Sequence, residues 1–112
     1  MDDSRKVDIR MISTDIQLSA QRSLWGLSPP FLRAVSVSYD AHIIAFRCIF
    51  DGPPSEDDWE LLSIAATEII ADFDAPYTID DQYLAIPYPQ PMEHLRYLIY
   101  LRYELNKDHP IV

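Results

Sequence analysis

DGPPSEDDWELLSIAATEIIADFD, residues 51–74, is where the chain changes from one periodicity to another. Gly52, Pro53 and Pro54 break what precedes them. Trp59, Leu62, Ala66, Ile69, Ile70 and Phe73 then recur at helical spacing, which predicts a helix over roughly residues 56–73. Ser55 followed by Asp58 fits a capping box with Asp in place of the usual Glu or Gln, and Pro54 and Trp59 occupy the two positions of a hydrophobic staple. Glu56, Asp57 and Asp58 fall in the first turn, where the helix dipole favours each negative charge by about 0.3–1 kcal/mol. The acidic run is therefore mainly a helix start. As a metal site it is weak: Glu56 and Glu60 are i,i+4 neighbours, but no calcium-loop spacing surrounds them.

Working outward, the flanks read as strands. In LRAVSVSY (32–39), Val35, Val37 and Tyr39 alternate with Ser36 and Ser38, the pattern of a half-buried strand. HIIAFRCIF (42–50) alternates with two mostly apolar faces, and the short YDAH joint makes the pair a hairpin. After the helix, DAPY ends one element and YTIDDQYLAIPYP (77–89) begins a third strand, with Pro87 and Pro89 closing it at a sheet edge. Asp80 and Asp81 mark a turn or bulge there, or a strand edge guarded by charge. HLRYLIYLRYEL (94–105) alternates Leu95, Tyr97, Ile99, Leu101, Tyr103 and Leu105, a fourth strand in preference to a helix. Upstream, Ile16, Ala20, Leu24 and Leu27 share a helical stripe, with Ser13 or Thr14 as cap candidates and Gly26 near its end. KVDIRM alternates Val7, Ile9 and Met11, so residues 1–12 read as an extended arm or edge strand. The order α-β-β-α-β-β predicts a single α+β domain over residues 1–112: two layers, an antiparallel four-stranded sheet with two helices on one face.

A chain of 112 residues buries roughly 65% of its unfolded surface, enough for a core without metal or disulfide. Composition supports folding: 48% hydrophobic, with seven Tyr, four Phe and two Trp. The lone Cys48 has no partner for a bridge, the N-terminal stretch does not have the pattern of a signal peptide, and no apolar run reaches membrane-spanning length. The expectation is a cytoplasmic protein with no membrane role. Charge says more. Residues 48–95 hold eleven acids and no Lys or Arg, while the flanks are nearly balanced, for a net charge of −9. Such a block repels a phosphate backbone, so nucleic acid is not the expected partner; cations and basic proteins are drawn to it.

Catalytic constellations are poor. His42 and Cys48 share a strand face, but six residues hold them about 20 Å apart, too far for a nucleophile–base pair. There is no HExxH, CxxC, phosphate loop, GxGxxG or GxSxG, and two glycines cannot build a glycine-rich loop. No cofactor, metal or enzymatic activity is expected. The outer face of the helix at 56–73 is more telling. It centres on Ile64, with Leu61 and Ala71 among Asp57, Glu60 and Glu68. A face mixing acids with Leu and Ile is covered either by the first helix, the preferred reading, or by a partner.

LRAVSV, FDG with the following SEDD, ATEIIADF, PYPQP and YLRYE resemble segments of small bacterial contact-dependent growth inhibition (polymorphic-toxin) immunity proteins. The likeness runs over roughly residues 20–104. It implies a cytosolic, non-enzymatic protein that binds the toxin domain of a cognate effector, frequently a nuclease, and blocks its action. A nuclease toxin carries a basic cleft, which an acidic surface suits. The candidate partner-binding residues are Glu60, Glu68, Asp72, Asp74, Asp80 and Asp81 for steering, and Leu61 and Ile64 for buried contact. The alternative is a self-associating structural or adaptor subunit, a homodimer through the apolar helix face and the strand edge at 95–105.

Overall fold

The computed structural model describes residues 9–27 and 29–104. Along the chain these form α1 (Ile9–Ser23), β1 (Leu32–Asp40), β2 (Ile43–Phe50), α2 (Glu56–Ala71), β3 (Thr78–Ala85) and β4 (Tyr97–Leu101). The class is α+β, with two helices on a four-stranded sheet, and the described part of the stretch from residue 94 on supplies a strand, Tyr97–Leu101, and not a helix. Helix α1 starts earlier than Ser13 or Thr14 would place it, so Ile9 to Met11 are helical and not part of an extended arm. In the sequence, Ile9, Ile12, Ile16 and Ala20 fit a three-to-four spacing as well as Val7, Ile9 and Met11 fit alternation, and no Pro or Gly interrupts them. The rest of the proposed arm, residues 1–8, lies outside the described residues.

Local chemistry explains the element ends. Ser55 has extended backbone, and its Oγ accepts from the Asp58 amide at 3.1 Å, the capping half of the expected box. At the other end the Asp72 amide donates to the carbonyls of Ile69 and Ile70. The β1–β2 turn uses Ala41 at φ 55°. Gly26, just past α1, takes φ 79°, a left-handed conformation that costs a side-chain-bearing residue energy.

The sheet is mixed, which corrects the all-antiparallel expectation. Its spatial order is β3-β2-β1-β4. β1 pairs antiparallel with both β2 and β4, but β2 and β3 run parallel, in a ladder from Ile43 opposite Thr78 to Phe50 opposite Ala85. The reason is the length of α2. Sixteen helical residues rise about 24 Å, close to the length of an eight-residue strand, so the helix carries the chain back to the end where β2 began. The next strand must then run beside β2 in the same direction. Asp80 and Asp81 sit in this regular ladder, opposite Ala45 and Phe46, and form neither turn nor bulge.

Both helices cover one face. α1 packs on β1, β4 and α2, while α2 packs on β2 and β3. Between the layers lie Ile16, Ala20, Val35, Val37, Ile44, Phe46, Cys48, Phe50, Leu62, Ala65, Ala66 and Ile69, all buried. Trp59 departs from its expected inward place: it is about half exposed and lays its ring against Tyr83, with 5.6 Å between centroids.

The other face of the sheet is not left to solvent. β3 and β4 are at opposite edges, so residues 86–96 must cross the sheet to join them. They pass over the side chains that alternate with the core set. Ser36 Oγ accepts from the Leu95 amide at 2.9 Å, and Arg47 donates to the Glu93 carbonyl at 2.9 Å and to Gln82 at 2.8 Å. This strap makes Ala34, Ser36 and Ile49 buried where a two-layer domain would leave them wet. Replacing the cap, Ser55→Ala, should lower unfolding free energy by about 1 kcal/mol in a urea titration; an unchanged midpoint would mean the Oγ contact is energetically idle.

Candidate partner-binding surface

The outer face of α2 is exposed. Leu61 is 39% and Ile64 50% accessible, so α1 leaves them open although it packs beside them; the expected intramolecular cover does not form over these two residues. At 100° per residue, Asp57, Glu60, Leu61, Ile64, Glu68 and Ala71 fall within one stripe, and all are exposed. The structure thus brings together four of the candidates: Glu60, Leu61, Ile64 and Glu68.

The other four are dispersed. Asp72 accepts from Ser19 Oγ at 2.6 Å and from Arg22 at 2.9 Å, tying α2 to α1. The Ser19 hydroxyl, then Arg22, holds its carboxyl below the usual range. Asp74 is exposed beyond the helix, where its carbonyl accepts from the Tyr77 amide. Asp80 and Asp81 are neighbours on a strand and therefore point to opposite faces. Asp80 accepts from Gln82 on the strap side, and Asp81 from the Tyr83 hydroxyl on the helix side. Burial, then the Asp81 carboxylate, pushes the Tyr83 hydroxyl well above its ordinary value.

Cys48 is wholly buried, and desolvation pushes its thiol far up, so it is a core residue and not a nucleophile. His42 packs edge-on against Tyr77 at 5.1 Å. Among the described residues no group of three His, Cys, Asp or Glu side chains is placed to hold a metal ion. Among them, too, no helix is long and apolar enough to cross a membrane.

A second constellation escaped the sequence reading. A bulge places Arg33 as an extra residue in β1, only 2% exposed. Its Nε and Nη2 donate to the two oxygens of Glu104 at 2.7 and 2.9 Å, while Nη1 donates to the Ile86 and Gln90 carbonyls at 2.6 and 3.0 Å. Arg102 bridges Glu104 and Asp51 at 3.0 and 3.1 Å, and Asp51 accepts from the Tyr88 amide at 2.8 Å. Arg33 also lies over the Tyr88 ring at 5.7 Å. The Tyr88 amide and Arg102 depress the Asp51 carboxyl; Arg33 and Arg102 depress that of Glu104. Beside the cluster an open groove of about 450 Å³ runs under the strap, lined among others by Tyr88, Met92, His94 and Leu101. The one signal in the sequence was an arginine set among apolar residues in β1 and again just past β4, in FLRAV and YLRYE.

Because Glu104 and Asp51 have depressed carboxyls, the stability they add is complete above the ordinary carboxylate range. It is lost as pH falls through their lower folded values. Glu104→Gln should flatten that acid limb in urea titrations taken at successive pH values. At neutral pH it should cost about 3–5 kcal/mol, since Arg33 stays buried without its counter-charge. Parallel acid limbs in the two proteins would contradict this assignment.

The segments drawn together by the cluster and α2 are the ones whose wording resembles immunity proteins: LRAVSV, FDG, PYPQP, YLRYE and ATEIIADF. No curated protein matches the chain. The family model described as MafI2 immunity protein matches residues 13–104, from within α1 through the Glu104 carboxylate that pairs with Arg33. With most of α1, all of α2, the whole sheet and the strap inside that match, the chain belongs to the MafI2 immunity protein family.

Proposed function

We propose that this protein neutralises a cognate toxin domain by binding it, without catalysis, through the outer face of α2. Membership of an immunity family supports the general role. The observation that carries the choice of surface is the pairing of exposed Leu61 and Ile64 with Asp57, Glu60 and Glu68, in a part of the sequence without a single Lys or Arg. Apolar contact at the centre and charge around it is the anatomy of a recognition patch. The charge favours a basic toxin, and a nuclease with a phosphate-binding cleft is the fitting class. Asp74 adds to the field near the end of the helix. Binding would occur in the cytoplasm. Delivery of the toxin by cell contact rests on the resemblance of the motifs and is part of the proposal.

Charge steers encounter, whereas buried apolar area slows departure. The double reversal Glu60→Lys with Glu68→Lys should therefore lower the association rate about tenfold or more at low salt and flatten its salt dependence. Ile64→Ala should leave association nearly unchanged and raise dissociation by about tenfold. Stopped-flow or biosensor kinetics with the effector's toxin domain measures both. Wild-type affinity and salt slope in the double reversal would remove α2 as the interface, while leaving the family role standing.

A further inference from the structure

Trp59 is out of place for a core residue. Helical spacing predicts it inward, yet it is 49% exposed, on the flank where α2 meets the edge strand β3. Its ring is nevertheless fixed. It rests against Tyr83 with 5.6 Å between centroids and a tilt of 53°. Tyr83 is fixed in turn, because its hydroxyl donates to Asp81 Oδ2 at 2.8 Å. Part of an indole is thus held rigidly in water, where it costs hydration and adds nothing to the core.

The charges beside the ring say what fits over it. Glu56 precedes Trp59 by one helical turn and Glu60 follows it directly, and both are exposed. Asp81 is exposed beside the Tyr83 hydroxyl. Among the described residues no salt bridge reaches these carboxylates, and Asp81 Oδ1 has no hydrogen-bond donor. The chain's own placed guanidiniums are engaged elsewhere: Arg22 on Asp72, Arg33 and Arg102 on Glu104, Arg47 on Gln82 and the strap, and Arg96 over Tyr97. An indole face beside unpaired carboxylates receives a cation. Guanidinium suits it better than ammonium, because it lies flat on the ring while its edge donates to carboxylate oxygens. We infer that Trp59 and Tyr83, with Glu56, Glu60 and Asp81 beside them, receive an arginine side chain of the toxin. The inference rests on the reading of α2 as the toxin-binding face and extends it. Glu60 belongs to both, so the interface runs from Leu61 and Ile64 around the first turns of α2 to the edge of the sheet. Leu61 and Ile64 supply apolar area, and the aromatic pair selects one side chain.

The test uses the full chain with Trp25→Phe, an exposed change that leaves Trp59 as its one tryptophan. Hexa-arginine and hexa-lysine peptides are titrated at low salt with indole emission as the readout, and binding of the effector's toxin domain is measured alongside. Hexa-arginine should shift the emission and bind about tenfold more tightly than hexa-lysine. Asp81→Asn with Glu56→Gln keeps both rings and an acceptor for the Tyr83 hydroxyl, and should remove that preference. Trp59→Leu should weaken toxin binding about tenfold, and Trp59→Phe should restore most of the loss. Emission unmoved by hexa-arginine, equal affinity for the two peptides, or wild-type toxin binding in Trp59→Leu each overturns the inference. If Ile64→Ala alone then weakens toxin binding, the outer face of α2 stands without the arginine site. Loss in Trp59→Leu with none in Ile64→Ala upholds the arginine site and removes the outer face.

Discussion

A guanidinium taken out of water at the bulge of β1 organises one end of this molecule. Burying an arginine costs several kcal/mol unless its donors are met and its charge is answered. Arg33 meets four of its five N–H groups: two on Glu104 and two on carbonyls of the strap. The partners come from beyond β3 and beyond β4, so satisfying this residue draws the ends of two edge strands to the middle of the sheet. Arg102 and Asp51 extend the same network to the end of β2. Here the electrostatics act as a positional constraint, holding residues 86–96 across a face that would otherwise be a wet sheet.

The second constraint is topological. With β2 and β3 parallel, the chain leaves β3 on one edge and must reach β4 on the other, and the strap is the consequence. Ser36 and Arg47, polar residues on a face with no helix over it, have their partners in that crossing segment. The helix that forces the parallel pair also presents the candidate surface. Its buried side, Leu62, Ala65, Ala66 and Ile69, secures it to the sheet, and its far side carries Leu61 and Ile64 among acids.

Charge is unevenly divided along the sheet. The α2–β3 half is acidic and carries Asp80 and Asp81 at its strand edge; Arg33 and Arg102, on the β1–β4 half, are tied to Glu104 and Asp51, and Arg47 in β2 turns to the strap.

Periodicity and composition carried the local structure: the capped start of α2 at Ser55, the alternation of Val35 and Val37, the hairpin around Ala41, and the stripe of acids with Leu61 and Ile64. These depend on residues within a few positions of one another, and such short-range patterns are visible in a string. The parallel pairing of β2 with β3, the strap, and the meeting of Arg33 with Glu104 were not legible there. Each joins segments 35 to 71 residues apart, where nothing local records the partner. The candidate face divides along the same line. That Glu60, Leu61, Ile64 and Glu68 share a stripe follows from helical spacing, but their exposure depended on where α1 packs. Likewise, only folding set Asp72 against Ser19 and Arg22.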